Sequence, residues 1–390
     1  MTEESLGRLS LKVGVFGYIC RKQHDMKRIL VFLGIFMMSI SSVCNAQEKA
    51  KEPVYTDAAL FPLYGKVTEN TSERYGRLPQ SFEGVVRKPI WRLGSNSAGL
   101  FIRFRTNSTS VHLRWTPKRD YTMTHMTDTG TKGLDLYCLT EDGWRYVRCG
   151  KPNGKTSTMK AIENMTKEDR EFMLYLSLYD GVSSLEIGVD PDAYIEQPQV
   201  DSPRTGNPIV MYGTSILQGG CANRPGMAHT NILGRWLDRE IINLGFSGNA
   251  YLDVEIAEYI ATVENPSLIV LDYAPNCTAE MIDEKAEKFF RIVRDAHPDV
   301  PVIIVESPMY AHAMFDTKLH DIIVRKNEAQ ERLYKKLKKA GEKKLYYVDS
   351  KGMIGDDMEA TVDGTHFTDL GMMRYAKHIF PTMKKALGRK

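Results

Sequence analysis

Three short segments, each at or just after a strand-like run, carry residue types that could act together: Gly213-Thr214-Ser215, Ala274-Pro275-Asn276 and Asp363-Gly364-Thr365-His366. A serine hydroxyl is a weak nucleophile until a base takes its proton, and an imidazole serves best when a carboxylate fixes its tautomer. Asp363 and His366 are three apart with Gly364 between them, so a tight turn lets the carboxylate accept from one ring nitrogen and leaves the other for Ser215. Asn276 offers a side-chain amide, and Gly248, in Asn243-Leu244-Gly245-Phe246-Ser247-Gly248-Asn249, offers an unobstructed backbone N–H. With the Ser215 amide they would make an oxyanion hole, which completes a kit for ester hydrolysis without a metal. Each residue also has a plainer reading: Ser215 as a helix cap, Gly248 and Asn276 as turn residues, Asp363 as the cap of the last helix with His366 on the surface. The order of the segments, all at strand ends, favours the chemical reading.

Those strands must come from one sheet. Beyond Pro208 short apolar runs (Ile209 to Tyr212, Ile241 to Leu244, Leu268 to Tyr273, Val302 to Val305, Leu345 to Val348) alternate with helical stretches (Thr278 to Ala296, Leu319 to Ala340, Thr368 to Ala386). This rhythm predicts a five-stranded parallel α/β/α sandwich over residues 209–390, with ligands at the carboxyl ends of its strands. From about Val54 to Val189 the pattern alternates with period two, as in Leu100 to Arg105, Ser110 to Trp115 and Phe172 to Leu178, which predicts an all-β sandwich over residues 47–190. Residues 191–208 carry four prolines and no periodicity, and are expected to link the two domains. No Walker loop or Gly-x-Gly-x-x-Gly fingerprint occurs.

At 390 residues and 42% hydrophobic content the chain can fill two cores. Lys27-Arg28, the apolar run Ile29 to Ile40 and Cys44-Asn45-Ala46 read as a signal segment over residues 1–46, with Met26 as the expected true start. The run is too short to span a bilayer comfortably, so no membrane insertion is expected once it is removed. Ser41-Ser42-Val43 is a poor lipobox, so soluble export to the periplasm or beyond is preferred to a lipid anchor at Cys44. Removal of residues 1–46 leaves 46 charges of each sign, which gives no electrostatic case for a nucleic-acid partner.

The C-terminal half, residues 207–388, resembles the SGNH (GDSL-type) hydrolases, whose blocks carry serine, glycine, asparagine and Asp-x-x-His in this order. The resemblance implies Ser215 as nucleophile, Ser215, Gly248 and Asn276 as the oxyanion hole, and Asp363 and His366 as the rest of a triad. Thr214 replaces the usual aspartate of Gly-Asp-Ser and Pro275-Asn276-Cys277 the usual Gly-x-Asn-Asp, which marks a divergent branch. Gly133-Leu134-Asp135-Leu136-Tyr137 is similar to the Gly-x-Asp-Leu-Tyr signature of a β-domain that precedes such esterases in exported bacterial proteins. The two-domain layout also resembles carbohydrate esterases with a jelly-roll-like domain, which implies short acyl, chiefly acetyl, esters of carbohydrates as substrates. The alternatives are a lipid esterase or thioesterase and, from another class, a carbohydrate-binding protein with a decayed hydrolase half; intact Ser215, Asp363 and His366 argue against the last.

Arg224, His229, Tyr310 and His312 fall in loops near strand ends and are candidates for substrate contact, with surface or capping roles as the alternative. No cofactor is expected, and no metal, because His297, His320 and His378 lack zinc-like spacing. Cys221 follows Ser215 by six residues and Cys277 directly follows Asn276, so a disulfide between them is the candidate cross-link, weighed against four small buried thiols. Cys138 and Cys149 flank a turn at Glu141-Asp142-Gly143 but are offset from one another.

Overall fold

The computed structural model describes residues 52–388; the signal segment, Met26 and Cys44 lie outside the described residues. Period-two alternation produces ten strands: β1 (Val54–Asp57), β2 (Leu63–Tyr64), β3 (Phe101–Thr106), β4 (Val111–Pro117), β5 (Leu134–Thr140), β6 (Gly143–Gly150), β7 (Ser157–Ile162), β8 (Arg170–Tyr175), β9 (Val182–Val189) and β10 (Ile195–Glu196). They pair antiparallel in two sheets, one ordered β1-β9-β4-β7 and one β10-β3-β8-β5-β6 with β2 on β3. Alternate residues face the space between them, so Ile102 and Phe104, Leu113 and Trp115, Leu134 and Leu136 and Leu185 and Ile187 share one core. The expected β-sandwich is present.

The C-terminal half forms β11 (Arg204–Gly213), β12 (Arg239–Gly245), β13 (Leu268–Asp272), β14 (Val302–Val305) and β15 (Leu345–Val348), all parallel in the order β12-β11-β13-β14-β15. Both faces are covered, so the strands carry apolar runs without alternation: Ile209 and Met211 point into one core cluster and Val210 and Tyr212 into the other. Helices Ala279–Ala296, Thr317–Lys339 and Asp369–Ala386 sit within two residues of where the sequence pattern puts them. Among the described residues no helix is long and apolar enough to cross a membrane.

Residues 53–388 lie in one compact unit, which changes the meaning of the expected domain boundary. The stretch 191–208 is not a free linker: β10 pairs with β3, Gln199 N–H donates to Glu171 at 2.6 Å, and β11 begins at Arg204. The N-terminal half also reaches into the other core, where Leu78, Val86, Ile90 and Leu93 pack with Ile256 and Tyr259. The helix Lys88–Gly94 that carries Ile90 and Leu93 interrupts the β pattern, and Pro89 in its first turn marks its start.

Candidate active site

Ser215 opens the short helix Ser215–Gln218 directly after β11, but Thr214 provides the cap, its hydroxyl accepting from Ile216 N–H at 3.2 Å. The Ser215 hydroxyl is thus left for another partner. Its Oγ lies 2.8 Å from Nε2 of His366, and Nδ1 of His366 lies 2.7 Å from Oδ2 of Asp363. Asp363 does not cap the last helix, a role taken by Thr368; its Oδ1 accepts the backbone N–H of Thr365 at 3.0 Å and of His366 at 2.8 Å. Partial burial raises the Asp363 pKa, but the bonds from the His366 ring and from these two amides outweigh it and hold the carboxyl at about 2.

Gly248 has φ of +63° and open space where a Cβ would stand, so the loop after β12 turns there with its amide unobstructed. Asn276 lies in the 3-10 turn Ala274–Asn276, and its Oδ1 accepts Ala250 N–H at 3.2 Å, which joins the loops after β12 and β13. With Oδ1 so engaged, Nδ2 is the free end of the amide; like the backbone N–H of Ser215 and Gly248, it donates to no described acceptor.

The loop that carries Gly248 is held by two arginines whose roles were not visible in the sequence. Arg77 is fully buried and donates to the carbonyls of Leu93, Asn96, Asn243 and Gly245 at 2.8 to 3.0 Å. Arg87 takes Asp253 with two bonds and Asn249 with two more, at 2.6 to 3.0 Å. Both come from the N-terminal half, and no motif of the sequence singles them out. Tyr179, from the turn before β9, donates to the carbonyl oxygen of Ser215 at 3.1 Å.

Of the four candidate substrate contacts, His312 lies against the turn between Asp363 and His366: a Cβ on Gly364 would meet its Nδ1 at 2.9 Å. Tyr310 is buried and stacks on His312, with ring centroids 6.2 Å apart. Arg224 faces the β-sandwich instead, where it donates to Asp135 at 2.6 Å and to the Tyr137 hydroxyl at 2.8 Å. His229 is a correction. It is fully buried against Tyr375, neither ring nitrogen has a partner, and burial lowers its pKa to about 3, so it is a neutral core residue and not a substrate contact.

The Cys221–Cys277 disulfide is also corrected: Cys138, Cys149, Cys221 and Cys277 are all free thiols. Adjacent strands do not make adjacent side chains here. Cys221 packs into the cluster on one face of the parallel sheet and Cys277 into the cluster on the other, where it donates to Ala250 O at 3.3 Å. Burial, with the Asp363 charge adding to it, pushes the Cys221 thiol up to about 12.

The β-sandwich contributes the loop 118–127 beside the triad residues. Buried Asp180 accepts the Arg119 and Tyr121 backbone N–H at 3.1 and 3.0 Å, and the His125 ring comes within 5.6 Å of the His366 ring. Behind this loop a cleft of about 220 Å³ is lined by Arg92, Asn96, Arg119, Tyr121, Tyr179 and Ser247. A second cavity, of about 430 Å³, is lined by Met309, Tyr310, Met314, Met353, Met358 and Thr361, the last on the loop that leads to Asp363. No spacing rule flags the residues of the first cleft, because Ser247 meets the others only through the packing of the two halves.

Residues 206–384 match the GDSL-like Lipase/Acylhydrolase family, and residues 54–195 match the GxDLY family, the N-terminus of SGNH-hydrolase-type esterases. No curated protein matches the chain. Among solved structures, a protein of Bacteroides ovatus described as a GDSL-like lipase is 36% identical, covers 87% of this chain and 99% of its own, and superposes with a TM-score of 0.82. The fold is shared with a salicylyl-acyltransferase of a tetracycline biosynthetic pathway (17% identity, 88% of this chain and 99% of the other, TM-score 0.68). It is shared also with a family two carbohydrate esterase of Cellvibrio japonicus (11% identity, 87% and 99%, TM-score 0.55).

Proposed function

The chain belongs to the GDSL-like lipase/acylhydrolase family and is a carboxylic ester hydrolase, and from that premise we propose that it is an exported serine esterase that removes acetyl or similar short acyl groups from carbohydrates. The hydrogen-bonded line from Ser215 Oγ through His366 to Asp363, at 2.8 and 2.7 Å, carries this reading. Ser215 Oγ attacks the ester carbonyl carbon as its proton passes to Nε2 of His366, and the Asp363 carboxylate stabilises the imidazolium. The amides of Ser215 and Gly248 and Nδ2 of Asn276 receive the oxyanion. Collapse breaks the bond to the alcohol oxygen, which takes the proton from His366. Water, deprotonated by the same nitrogen, then releases the acid and restores Ser215.

The cleft lined by Arg92, Asn96, Arg119, Tyr121 and Ser247 supports a sugar as the alcohol portion, since it joins an aromatic ring with several polar groups one residue from Gly248. The family two carbohydrate esterase noted above lends the same reading an analogy of fold. The leading residues 1–46, read as a signal segment, support export. The methionine-rich cavity beside Thr361 favours a second reading, a lipid esterase or thioesterase whose acyl chain enters there. Hydrolysis of aryl esters of increasing chain length separates the two: the first expects acetate fastest, the second a longer acyl group. Ser215→Ala should cost on the order of 10^4-fold or more in kcat towards a small aryl acetate. Near wild-type turnover by the folded variant would refute the nucleophile.

A further inference from the structure

We propose that His125, Cys221 and His366 form a binding site for a thiophilic divalent cation such as Zn2+, whose occupation takes the His366 imidazole away from Ser215 and reversibly stops ester hydrolysis. The inhibitory consequence rests on the esterase reading; the metal site itself does not. One ligand atom from each of the three residues lies within 4.8 Å of the others. The donors are two imidazoles and a thiol, a set that suits Zn2+ or Cd2+ and not the hard oxygen-seeking Mg2+ or Ca2+.

Each donor is prepared by the surrounding structure. The bond of Asp363 to Nδ1 of His366 leaves Nε2 with its lone pair outward, the arrangement in which a carboxylate orients a metal-binding histidine. Cys221 is laced to the residue after His366: its N–H donates to Phe367 O at 3.1 Å, and Phe367 N–H donates to Gly220 O at 3.3 Å. His125 is half-buried, with its ring 5.6 Å from that of His366, and makes no hydrogen bond to a described residue. Tetrahedral zinc with bonds of about 2.0 to 2.3 Å holds its ligands roughly 3.5 Å apart, so the group must close by about an ångström. The His125 side chain, which has no hydrogen bond to a described residue, is the part that supplies that movement by turning towards Cys221. On binding, the Cys221 thiol proton leaves to solvent as the metal–sulfur bond forms, and His366 exchanges its bond with Ser215 for one with the metal. The fourth position is left to water or to Ser215 Oγ.

Titration of the purified, chelator-treated protein with Cd2+ tests the site directly through the thiolate-to-cadmium absorption band. One equivalent per chain should saturate the band in the wild type and in Cys277→Ser, and Cys221→Ser should lose it. Zn2+ should inhibit aryl acetate turnover, with EDTA restoring it, and Cys221→Ser and His125→Ala should each need on the order of 10- to 100-fold more Zn2+ for the same inhibition. His125→Ala keeps the test open if Cys221→Ser does not fold. Absence of the band in the wild type, its persistence in Cys221→Ser, or unchanged Zn2+ inhibition in His125→Ala would overturn the proposal. A protein that shows the Cys221-dependent band but no esterase activity would keep the site and lose the functional reading.

Discussion

Arg224, nine residues beyond Ser215, donates to the carboxylate of Asp135 at 2.6 Å, and Asp135 belongs to the Gly133-Leu134-Asp135-Leu136-Tyr137 segment of the β-sandwich. The same carboxylate oxygen accepts Gly226 N–H at 2.7 Å, and the Tyr137 hydroxyl oxygen accepts from the same guanidinium at 2.8 Å. Gly226 is needed for this approach, since a Cβ there would meet the Tyr137 oxygen at 2.4 Å. A β-strand thus holds the loop that follows the serine, and the two halves form one structural unit around the site.

Asp135→Ala should be strongly destabilising, by about 3 to 5 kcal/mol, because it strands a mostly buried Arg224 and an amide. Urea unfolding of the variant measures this. A loss below about 1 kcal/mol would place the Asp135–Arg224 pair among ordinary surface ion pairs.

Asn276→Ala removes an oxyanion donor and should lower kcat by roughly 10^2 to 10^3 with little change in KM. Arg87→Ala leaves every reacting group in place but frees Asn249 beside Gly248, so a smaller loss, up to about 10^2 in kcat, is expected from misplacement of that amide. Steady-state kinetics on one aryl acetate decides both, and a rise in KM at constant kcat would contradict the assigned roles.

Asp363→Asn keeps the shape of the turn but offers a donor where a carboxylate accepted, and should cost about 10^4 in kcat. The native carboxyl, held at about 2, lies below its unfolded value. Its contribution to stability is therefore present above the unfolded pKa and is lost as pH falls through about 2. The difference in unfolding free energy between wild type and Asp363→Asn should stay flat from neutral pH to about pH 5 and shrink only in strong acid. A difference that changes between pH 6 and 8 would contradict this assignment.

His229 gives the opposite kind of pH record. Its folded pKa, lowered to about 3 by burial, lies below the unfolded value near 6.5, so the unfolded chain takes up the proton first. Stability relative to His229→Leu should fall by a few kcal/mol as pH drops from about 6.5 towards 3, measured by urea unfolding at several pH values. A constant difference over that window would mean that the ring is protonated in the folded protein.

The sequence by itself determined the fold class of both halves, the parallel order of apolar strands and helices, and the residues of the candidate triad. These were legible because strand and helix periodicities are local, and because Asp363 and His366 are close enough along the chain for one turn to join them. Only the tertiary structure decided what the remaining groups do. The cysteines follow neighbouring strands yet point to opposite faces of the sheet, and His229 falls in a helix whose buried face is set by Tyr375 across the core. Arg77, Arg87, His125 and Tyr179 reach the site from a half of the chain that reads as a separate domain, through contacts between residues more than 30 positions apart. Spacing along a chain specifies which residues share a face of one element; which faces meet is settled by the packing of whole sheets and helices, and that information is distributed over both cores.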